Sequence, residues 1–427
     1  MRITSSGLSA DIDLDAIDLF DPGFYATGDP HPVWKLMREK APAHRQTLPD
    51  GRSFLSVTRY ADVSTVLRDH TRFTSRRGTV LSVLGGTDPA GNKMLAASDP
   101  PVHTAMREPL NRVMSFTALE AQKPRVKRLV HRMLAPLADG GTFELAAAAT
   151  AFPMAFTGLL MGLPEEDLDD LARLATMAVA PEDAMFQEGE VGENLVTAHH
   201  ELFEYLAERV GPSAGQDNLI GYLVGMDAGG RRLRHDEIVF NSYSMLLGAN
   251  ATTPHSIAAT VLALIEHPEQ YARLREDPEL VASAVEEGLR WASPANHFLR
   301  HAVTDTEIAG TPVRRGEAVV AWIGSANRDA SVFTDPYRFD VGRSPNRHLA
   351  FGWGPHYCIG APLARIALRL LFGELARLVE RLEPVGEVEH LTSNFIAGIK
   401  RMPVVATLRA GADEVLAAAN EENRVPR

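Results

Sequence analysis

Apolar residues recur at steps of three and four along most of this chain, and this spacing constrains the fold more than any other sequence feature. From Leu363 to Leu378 the apolar positions follow one face of a helix, while charged residues occupy the other face. Similar patterns run over residues 116–137, 198–210, 256–276 and 279–291. The patterns typical of strands are short and few, at Ser53–Val57 and Val319–Trp322. The chain is therefore predicted to be mainly α with a small β portion.

The composition is that of an ordinary globular protein, with 45% hydrophobic and 23% charged residues among 427. No repeat or linker-like tract divides the chain, so we predict a single domain over residues 1–427, with flexible ends at 1–20 and 410–427. The net charge of −12 argues against indiscriminate binding to nucleic acid, because such binding requires a basic surface.

Two stretches without formal charge, residues 145–164 and 238–265, are long enough to be weighed as membrane spans. The first contains Pro153 and has no basic flank, and the second contains many polar side chains, so both are predicted to be buried helices. The N-terminus is acidic where a signal peptide would need a basic start and an apolar run. We therefore expect a cytoplasmic protein.

Cys358 is the single cysteine, which excludes an intrachain disulfide and metal sites that need several thiolates. It lies in the glycine-rich segment FGWGPHYCIG, residues 351–360, directly before the amphipathic helix. Backbone N–H groups at a helix N-terminus favour a thiolate. Taken alone, the residue could be a small buried apolar side chain, the nucleophile of a hydrolase with His356 as its base, or the ligand of a haem iron.

The segment 351–360 resembles, position for position, the haem-binding loop FGxGxHxCxG of the cytochromes P-450, in particular the soluble bacterial members. The resemblance extends from about residue 32 to 403. It implies the cytochrome P-450 fold, with haem b held between an oxygen-binding helix and the helix after the cysteine loop. Cys358 would be the iron ligand, and thiolate ligation suits oxygen activation.

Further segments match the family in the same order. Glu287 and Arg290 correspond to its ExxR pair, and Arg338 in Asp335–Phe339 corresponds to the arginine that usually joins that pair. The resemblance assigns the haem propionates to four basic side chains, His103, Arg107, Arg300 and His356. It places further haem contacts at Ala249, Phe351, Gly352 and Gly360.

Residues 247–254 resemble the family's oxygen-binding helix, in which Thr252 would hydrogen-bond the bound oxygen. Pro254 lacks an N–H and opposes the carbonyl of Asn250, so we predict a local opening of the helix at Ala249–Asn250. Ala251 stands where the family normally has an acid, and an alanine cannot relay protons. The candidates to replace that acid are Asn250, Thr253, His255, a water chain or the substrate.

The resemblance implies a monooxygenase that oxidises a small organic substrate, and three alternatives remain open because of Ala251. They are aromatic coupling, peroxide-dependent oxidation, and a haem-binding sensor or carrier without turnover. Arginine makes up 37 of the 43 basic residues, a bias associated with bacterial genomes rich in GC and hence with natural-product tailoring. Position-matched substrate contacts are Leu84, Ser244, Leu247, Gly248, Ala295, Asn296, His297, Phe298, Phe395 and Ile396.

The segment from Arg338 to Arg369 contains five arginines and one acid, a local charge of +4 within an acidic chain. No flavin or iron–sulfur domain is attached, so we expect a separate ferredoxin-type electron donor and a monomeric enzyme. Its docking surface is predicted near Arg343, Arg347, Arg365 and Arg369.

Overall fold

The computed structural model describes residues 12–186 and 191–424. Helices dominate the described chain, as the apolar periodicity predicts. They are α1 (Pro22–Thr27), α2 (Pro30–Lys40), α3 (Tyr60–Arg68), α4 (Val102–Val113), α5 (Phe116–Leu119), α6 (Lys123–Leu134), α7 (Leu145–Met161), α8 (Leu168–Val179), α9 (Val191–Val210), α10 (Leu219–Gly225), α11 (His235–Asn250), α12 (Thr253–Glu266), α13 (Pro268–Glu276), α14 (Val281–Ala292), α15 (Ile323–Ala326), α16 (Ala361–Leu378) and α17 (Ala412–Arg424).

The strands are short, and both predicted strands are present. They are β1 (Ala43–Thr47), β2 (Ser53–Val57), β3 (Phe73–Thr74), β4 (Phe143–Glu144), β5 (His297–Ala302), β6 (Thr306–Ile308), β7 (Thr311–Val313), β8 (Ala318–Trp322), β9 (Val379–Pro384), β10 (Glu389–His390), β11 (Ile399–Arg401) and β12 (Pro403–Leu408). The main sheet has the order β1-β2-β8-β5-β3, in which β2 and β8 run parallel with Leu55 opposite Val319. A second sheet has the order β4-β12-β9.

Two of the predicted helical stretches are divided by prolines. The stretch 256–276 is split between α12 and α13, because Pro268 begins the second helix at its first turn, where a missing N–H costs nothing. The stretch 116–137 is split between α5 and α6, with Pro124 in the first turn of α6. The remaining predicted helices are found as α9, α14 and α16.

The core that supports the site is formed where α6, α7, α12, α14 and α16 pack together. Its buried side chains include Val130, Ala149, Val261, Leu289 and Leu371. The two uncharged stretches therefore become α7 and the pair α11–α12, whose apolar faces meet other helices, as predicted. No helix in the described ranges combines the length and the apolar character needed to cross a bilayer.

The two ends of the chain are only partly described. Residues 1–11 and 425–427 of the predicted flexible segments lie outside the described residues. Within the described parts of those segments, Leu19 and Leu416 are both buried. Leu19 packs with Trp34, and Leu416 belongs to the cluster around α6 and α16.

Candidate functional site

A cavity of about 680 Å³ connects the oxygen-helix region to the cysteine loop. Gly248, Ala249 and Thr252, at the end of α11 and before α12, line it together with Cys358 and Gly360. No atom lies within 4 Å of where a Cβ at Gly248 would stand, so this part of α11 leaves open space. The volume lies within the range of small-molecule and cofactor pockets.

The cysteine loop is held in a tight turn by its glycines. Gly354 has φ +74°, and a Cβ there would lie 2.7 Å from the Cα of Arg68, so no larger residue fits without a shift. Gly352 also has a left-handed φ of +70°. The Cys358 N–H donates to the Phe351 carbonyl at 2.8 Å, which closes the loop immediately before α16 begins.

Burial raises the pKa of the Cys358 thiol, although the N–H groups of Gly360 and Ala361 and the charge of Arg107 act to lower it. The N–H groups at the helix N-terminus thus favour the thiolate, as expected, but the desolvation of the buried sulfur outweighs them. A cation at Sγ, such as a bound iron, would reverse this balance. His356 is not placed as a base for the thiol: its Nε2 hydrogen-bonds the Ser75 hydroxyl at 3.1 Å.

The four predicted basic side chains come close together: Arg107, Arg300 and His356 line the cavity, and His103 lies outside the lining, next to His356. The His103 and His356 rings lie 4.5 Å apart, and His103 Nε2 is buried without a hydrogen-bond partner among the described residues. Arg300 is 4% exposed, and its guanidinium donates to the Leu299 carbonyl.

None of the four forms an ion pair with a described residue, and Asp99, whose charge acts on Arg300 and His103, is paired with Arg76 at 3.2 Å. Burial lowers the pKa of Arg300 to about 10 and that of His103 to about 4. Burial, followed by the charge of Arg300, lowers the pKa of His356 to about 2. An anionic group with two carboxylates, such as haem with its propionates, would satisfy these side chains, so the residues present fit that cofactor.

The predicted interruption of the oxygen helix is present, slightly further along the chain than expected. α11 ends at Asn250 and α12 begins at Thr253, with Thr252 at φ −122° and ψ −42° between them. Pro254 lies in the first turn of α12, where it needs no N–H partner. The Thr252 hydroxyl donates to the Gly248 carbonyl at 2.9 Å, and this contact holds its oxygen at the cavity.

The candidates for proton delivery are not all at the cavity. Thr253 lines it, whereas Asn250 and His255 are buried outside the lining. The Asn250 amide donates to the Leu246 carbonyl at 2.6 Å, and His255 Nδ1 accepts from the Ile399 N–H at 3.3 Å. Ser256 was missed from the sequence: it lines the cavity and donates to the Thr252 carbonyl at 3.1 Å. Its position four residues after Thr252 is the pattern that indicates this contact.

Glu287 and Arg290 form the predicted pair, fully buried, with contacts of 2.7 and 2.8 Å. The assignment of Arg338 as third member is wrong. The guanidinium that reaches Glu287 is that of Arg343, at 3.0 and 3.1 Å, while Arg338 is exposed and contributes its carbonyl. The turn at Asp340–Gly342 returns the chain toward Glu287. Arg343, five residues after Arg338, is therefore the arginine that points inward.

The predicted substrate contacts divide into two groups. Those in the cavity lining are Ser244, Leu247, Gly248, Ala295, Phe298 and Phe395, and the predicted haem contacts Ala249, Phe351, Gly352 and Gly360 line it too. Those buried outside the lining are Leu84, Asn296, His297 and Ile396. His297 is occupied on both ring nitrogens, with Leu81 N–H at 3.1 Å and the Asn394 carbonyl at 3.2 Å. Successive side chains of a strand point to opposite faces, so only every second one can face a neighbouring cavity. A match in sequence position does not show which face that is.

Residues of three separate segments that the sequence did not single out also line the cavity. They are Asp88, His199, Phe203, Phe240 and Tyr243. Only the tertiary structure brings them together, since they are far apart in the chain.

Comparison with known proteins agrees with this site. The model of the family described as cytochrome P450 matches residues 193–384. Over 96% of this chain and the whole of the relative, the sequence is 35% identical to putative cytochrome P450 126 of Mycobacterium tuberculosis. It is 33% identical to the cytochrome P450 monooxygenase PikC of Streptomyces venezuelae, over 95% of this chain and 97% of PikC.

The fold agrees with a solved structure as well. The crystal structure of P450 OxyD, described as involved in the biosynthesis of vancomycin-type antibiotics, matches with a TM-score of 0.81 and 32% identity. It covers 92% of this chain and all of OxyD. The cysteine loop, the buried cations, the interrupted helix and these relatives together establish that the chain belongs to the cytochrome P450 family and is a monooxygenase with haem b as its cofactor.

Proposed function

We propose that this monooxygenase oxidises a small organic compound of bacterial secondary metabolism in the cytoplasm, with electrons from a separate ferredoxin-type protein. The observation that carries the proposal is that Cys358 and Thr252 line one mainly apolar cavity from two different elements. The similarity to OxyD, which is involved in the biosynthesis of vancomycin-type antibiotics, supports the metabolic assignment.

The roles of the residues follow from their positions. Cys358 would hold the haem iron, and His103, Arg107, Arg300 and His356 would hold the propionates. When bound, the haem supplies the activation of dioxygen. Cys358, as the thiolate ligand, would donate electron density to the iron.

Proton transfer on the protein side rests on hydroxyl groups. Thr252 Oγ is at the cavity, and Thr253 and Ser256 lie beside it, whereas Ala251 offers no acid. The carboxylates in the described lining, Asp88 and Glu182, come from other segments. The lack of an acid beside Thr252 in the described lining favours a second candidate, a P450 that oxidises its substrate with hydrogen peroxide, because peroxide brings its own protons and electrons.

The proposed docking surface for the donor must be smaller than the sequence indicated. Arg343 is internal, with its side chain 9% exposed and bound to Glu287, so it is not available to a partner. Arg365 is held by Glu286 at 2.8 Å. Arg369 has a side chain 43% exposed with a looser contact of 3.8 Å to Glu286, and Arg347 is exposed. Arg347 and Arg369 therefore define the surface that we propose.

The experiment has two parts. The reduced holoprotein is expected to give with carbon monoxide the red-shifted Soret band of thiolate ligation, and Cys358→Ala is expected to lose it. Retention of that band by the variant would contradict the assignment of Cys358. Turnover is then compared between a reconstituted ferredoxin and reductase and hydrogen peroxide alone. Product with the donor system supports the first candidate, and product with peroxide alone supports the second.

A further inference from the structure

One end of the cavity is formed by a carboxylate and a group of aromatic rings. Asp88 comes from the segment before α4, His199 and Phe203 come from α9, and Phe240 and Tyr243 come from α11. All five line the cavity. We call this group the Asp88 end.

Asp88 forms no ion pair with any residue of 12–186 or 191–424, and its Oδ1 accepts the Ala90 N–H at 2.9 Å. The arginines of the lining, Arg107 and Arg300, belong to the cluster that fits the propionates. The ammonium of Lys93 lies 5.5 Å from the centre of the Phe240 ring, but it is paired with Asp236 at 3.2 Å. The charge of Asp88 is therefore the one left over, and the Asp88 end is net negative within a mainly apolar cavity.

The titratable rings that face Asp88 do not neutralise it. Burial lowers the pKa of His199, more than the Asp88 charge raises it, so the imidazole is neutral near pH 7. Burial and then the Asp88 charge raise the pKa of Tyr243, so the phenol stays protonated. Tyr243 is 8% exposed, and its hydroxyl makes no hydrogen bond to any described residue.

The rings pack closely enough to form one wall. The ring centroids of Phe203 and Tyr243 lie 4.6 Å apart, those of Phe203 and Phe240 lie 5.2 Å apart, and those of His199 and Tyr243 lie 5.7 Å apart. Aromatic faces attract cations, and a carboxylate beside them adds an ionic partner. A carboxylate, an unpaired phenol and aromatic faces together form a site suited to an ammonium group.

We propose that the Asp88 end binds a protonated amine of the substrate. This inference rests on the proposed function, since it names a substrate class for the same cavity. Tyr243 precedes Ala249 by six residues on α11, which is about 9 Å along the helix. The substrate would thus be an elongated, largely apolar molecule whose amine lies roughly 10 Å from the carbon that is oxidised.

The test uses three probes of equal chain length with the haem-loaded protein: dodecyltrimethylammonium, 1-dodecanol and dodecanoate. A quaternary ammonium cannot ligate the iron, so binding reports the cavity alone. Affinity is measured by the haem spectral shift and by calorimetry, below the micelle threshold of each probe. We expect the affinity to fall in the order cation, alcohol, carboxylate. Asp88→Asn should lower the affinity for the cation about tenfold and that for the alcohol less than twofold.

Glu182→Gln is the matched control, because Glu182 also lines the cavity but is exposed. We expect it to change the affinity for the cation less than twofold. Three results would overturn the inference: a native protein that does not prefer the cation, an equal loss for cation and alcohol in Asp88→Asn, or an equal loss for the cation in Glu182→Gln. A protein that shows the thiolate Soret band and binds 1-dodecanol, but has no preference for the cation, refutes this inference while leaving the proposed function intact.

Discussion

Thr252 and Ala251 are neighbours in the sequence, but the residues around them differ in character. Both line the cavity, but the Thr252 hydroxyl donates to the Gly248 carbonyl, whereas Ala251 is 4% exposed and packs in an apolar cluster with Leu391 and Ile396. An acid at position 251 would be added to that cluster, where its charged form is disfavoured. The position where the family usually has its acid is thus apolar in this protein, which agrees with the proposal that hydroxyl groups take part in proton transfer.

We predict that Thr252→Ala will raise the amount of hydrogen peroxide released per substrate-dependent NADPH consumed. The reason is that the variant lacks the hydroxyl that holds a proton at the cavity. The measurement is peroxide and product, each divided by NADPH consumed. Thr252→Ser, which keeps the hydroxyl, is the control and is expected to restore coupling. Unchanged coupling in Thr252→Ala would contradict the assigned role.

At the scale of elements, α14 is tied to the segment before the cysteine loop by a buried ionic network. Glu287 receives hydrogen bonds from Arg290, Arg343, the Asn346 amide and the Asp340 N–H, all between 2.7 and 3.1 Å. A carboxylate buried at 0% exposure is tolerated only because every part of it is paired. This network fixes the chain that leads into the cysteine loop.

Arg343→Ala is expected to lower the free energy of unfolding by about 2–3 kcal/mol and to increase haem loss, since Glu287 would keep Arg290 but lose one buried partner. The exposed Arg338 provides the matched control, and Arg338→Ala should change stability by less than about 0.5 kcal/mol. Thermal unfolding and haem retention measure both effects. Equal destabilisation by the two variants would contradict the assignment of Arg343, and not Arg338, as the arginine that joins Glu287 and Arg290.

A second connection joins α14 to α16. Burial alone would raise the pKa of Glu286, but hydrogen bonds from Arg365 and His348 outweigh it and lower the pKa to about 2. A carboxylate with a lowered pKa contributes stability at neutral pH, and this contribution is lost as the pH falls from about 5 to 2. We therefore expect Glu286→Gln to be less stable than the native protein at pH 7 and to approach it at low pH. A stability difference that is constant with pH would contradict this.

For the whole molecule, the important contrast is between an acidic chain, with a net charge of −12, and the basic segment around the cysteine loop. Much of that segment's charge is used internally, by Arg343 and Arg365, to hold Glu287 and Glu286. The exposed arginines that remain are Arg338, Arg347 and Arg369, and the last two form the docking surface that we propose. Exposed charges of this kind affect the rate of association more than the affinity.

Arg369→Glu is expected to slow electron transfer from an acidic ferredoxin roughly threefold to tenfold at low ionic strength, because it places a negative charge on the proposed docking surface. The difference should shrink at high salt, where surface charges are screened. Arg381→Glu, on β9 with a side chain 68% exposed, makes the same change in net charge outside the basic segment. Equal slowing by both variants would show that overall charge, and not this surface, is responsible.

The sequence by itself determined the mainly helical fold, the cysteine loop and the break before Pro254, because each depends on local spacing or on a property of one residue type. It did not determine that Arg343 rather than Arg338 reaches Glu287, since the turn at Asp340–Gly342 decides which side chain points inward. It also gave no indication of the Asp88 end, whose residues come from separate segments. The balance of burial against hydrogen bonding at Cys358 likewise depends on what surrounds the thiol, and only packing supplies those neighbours.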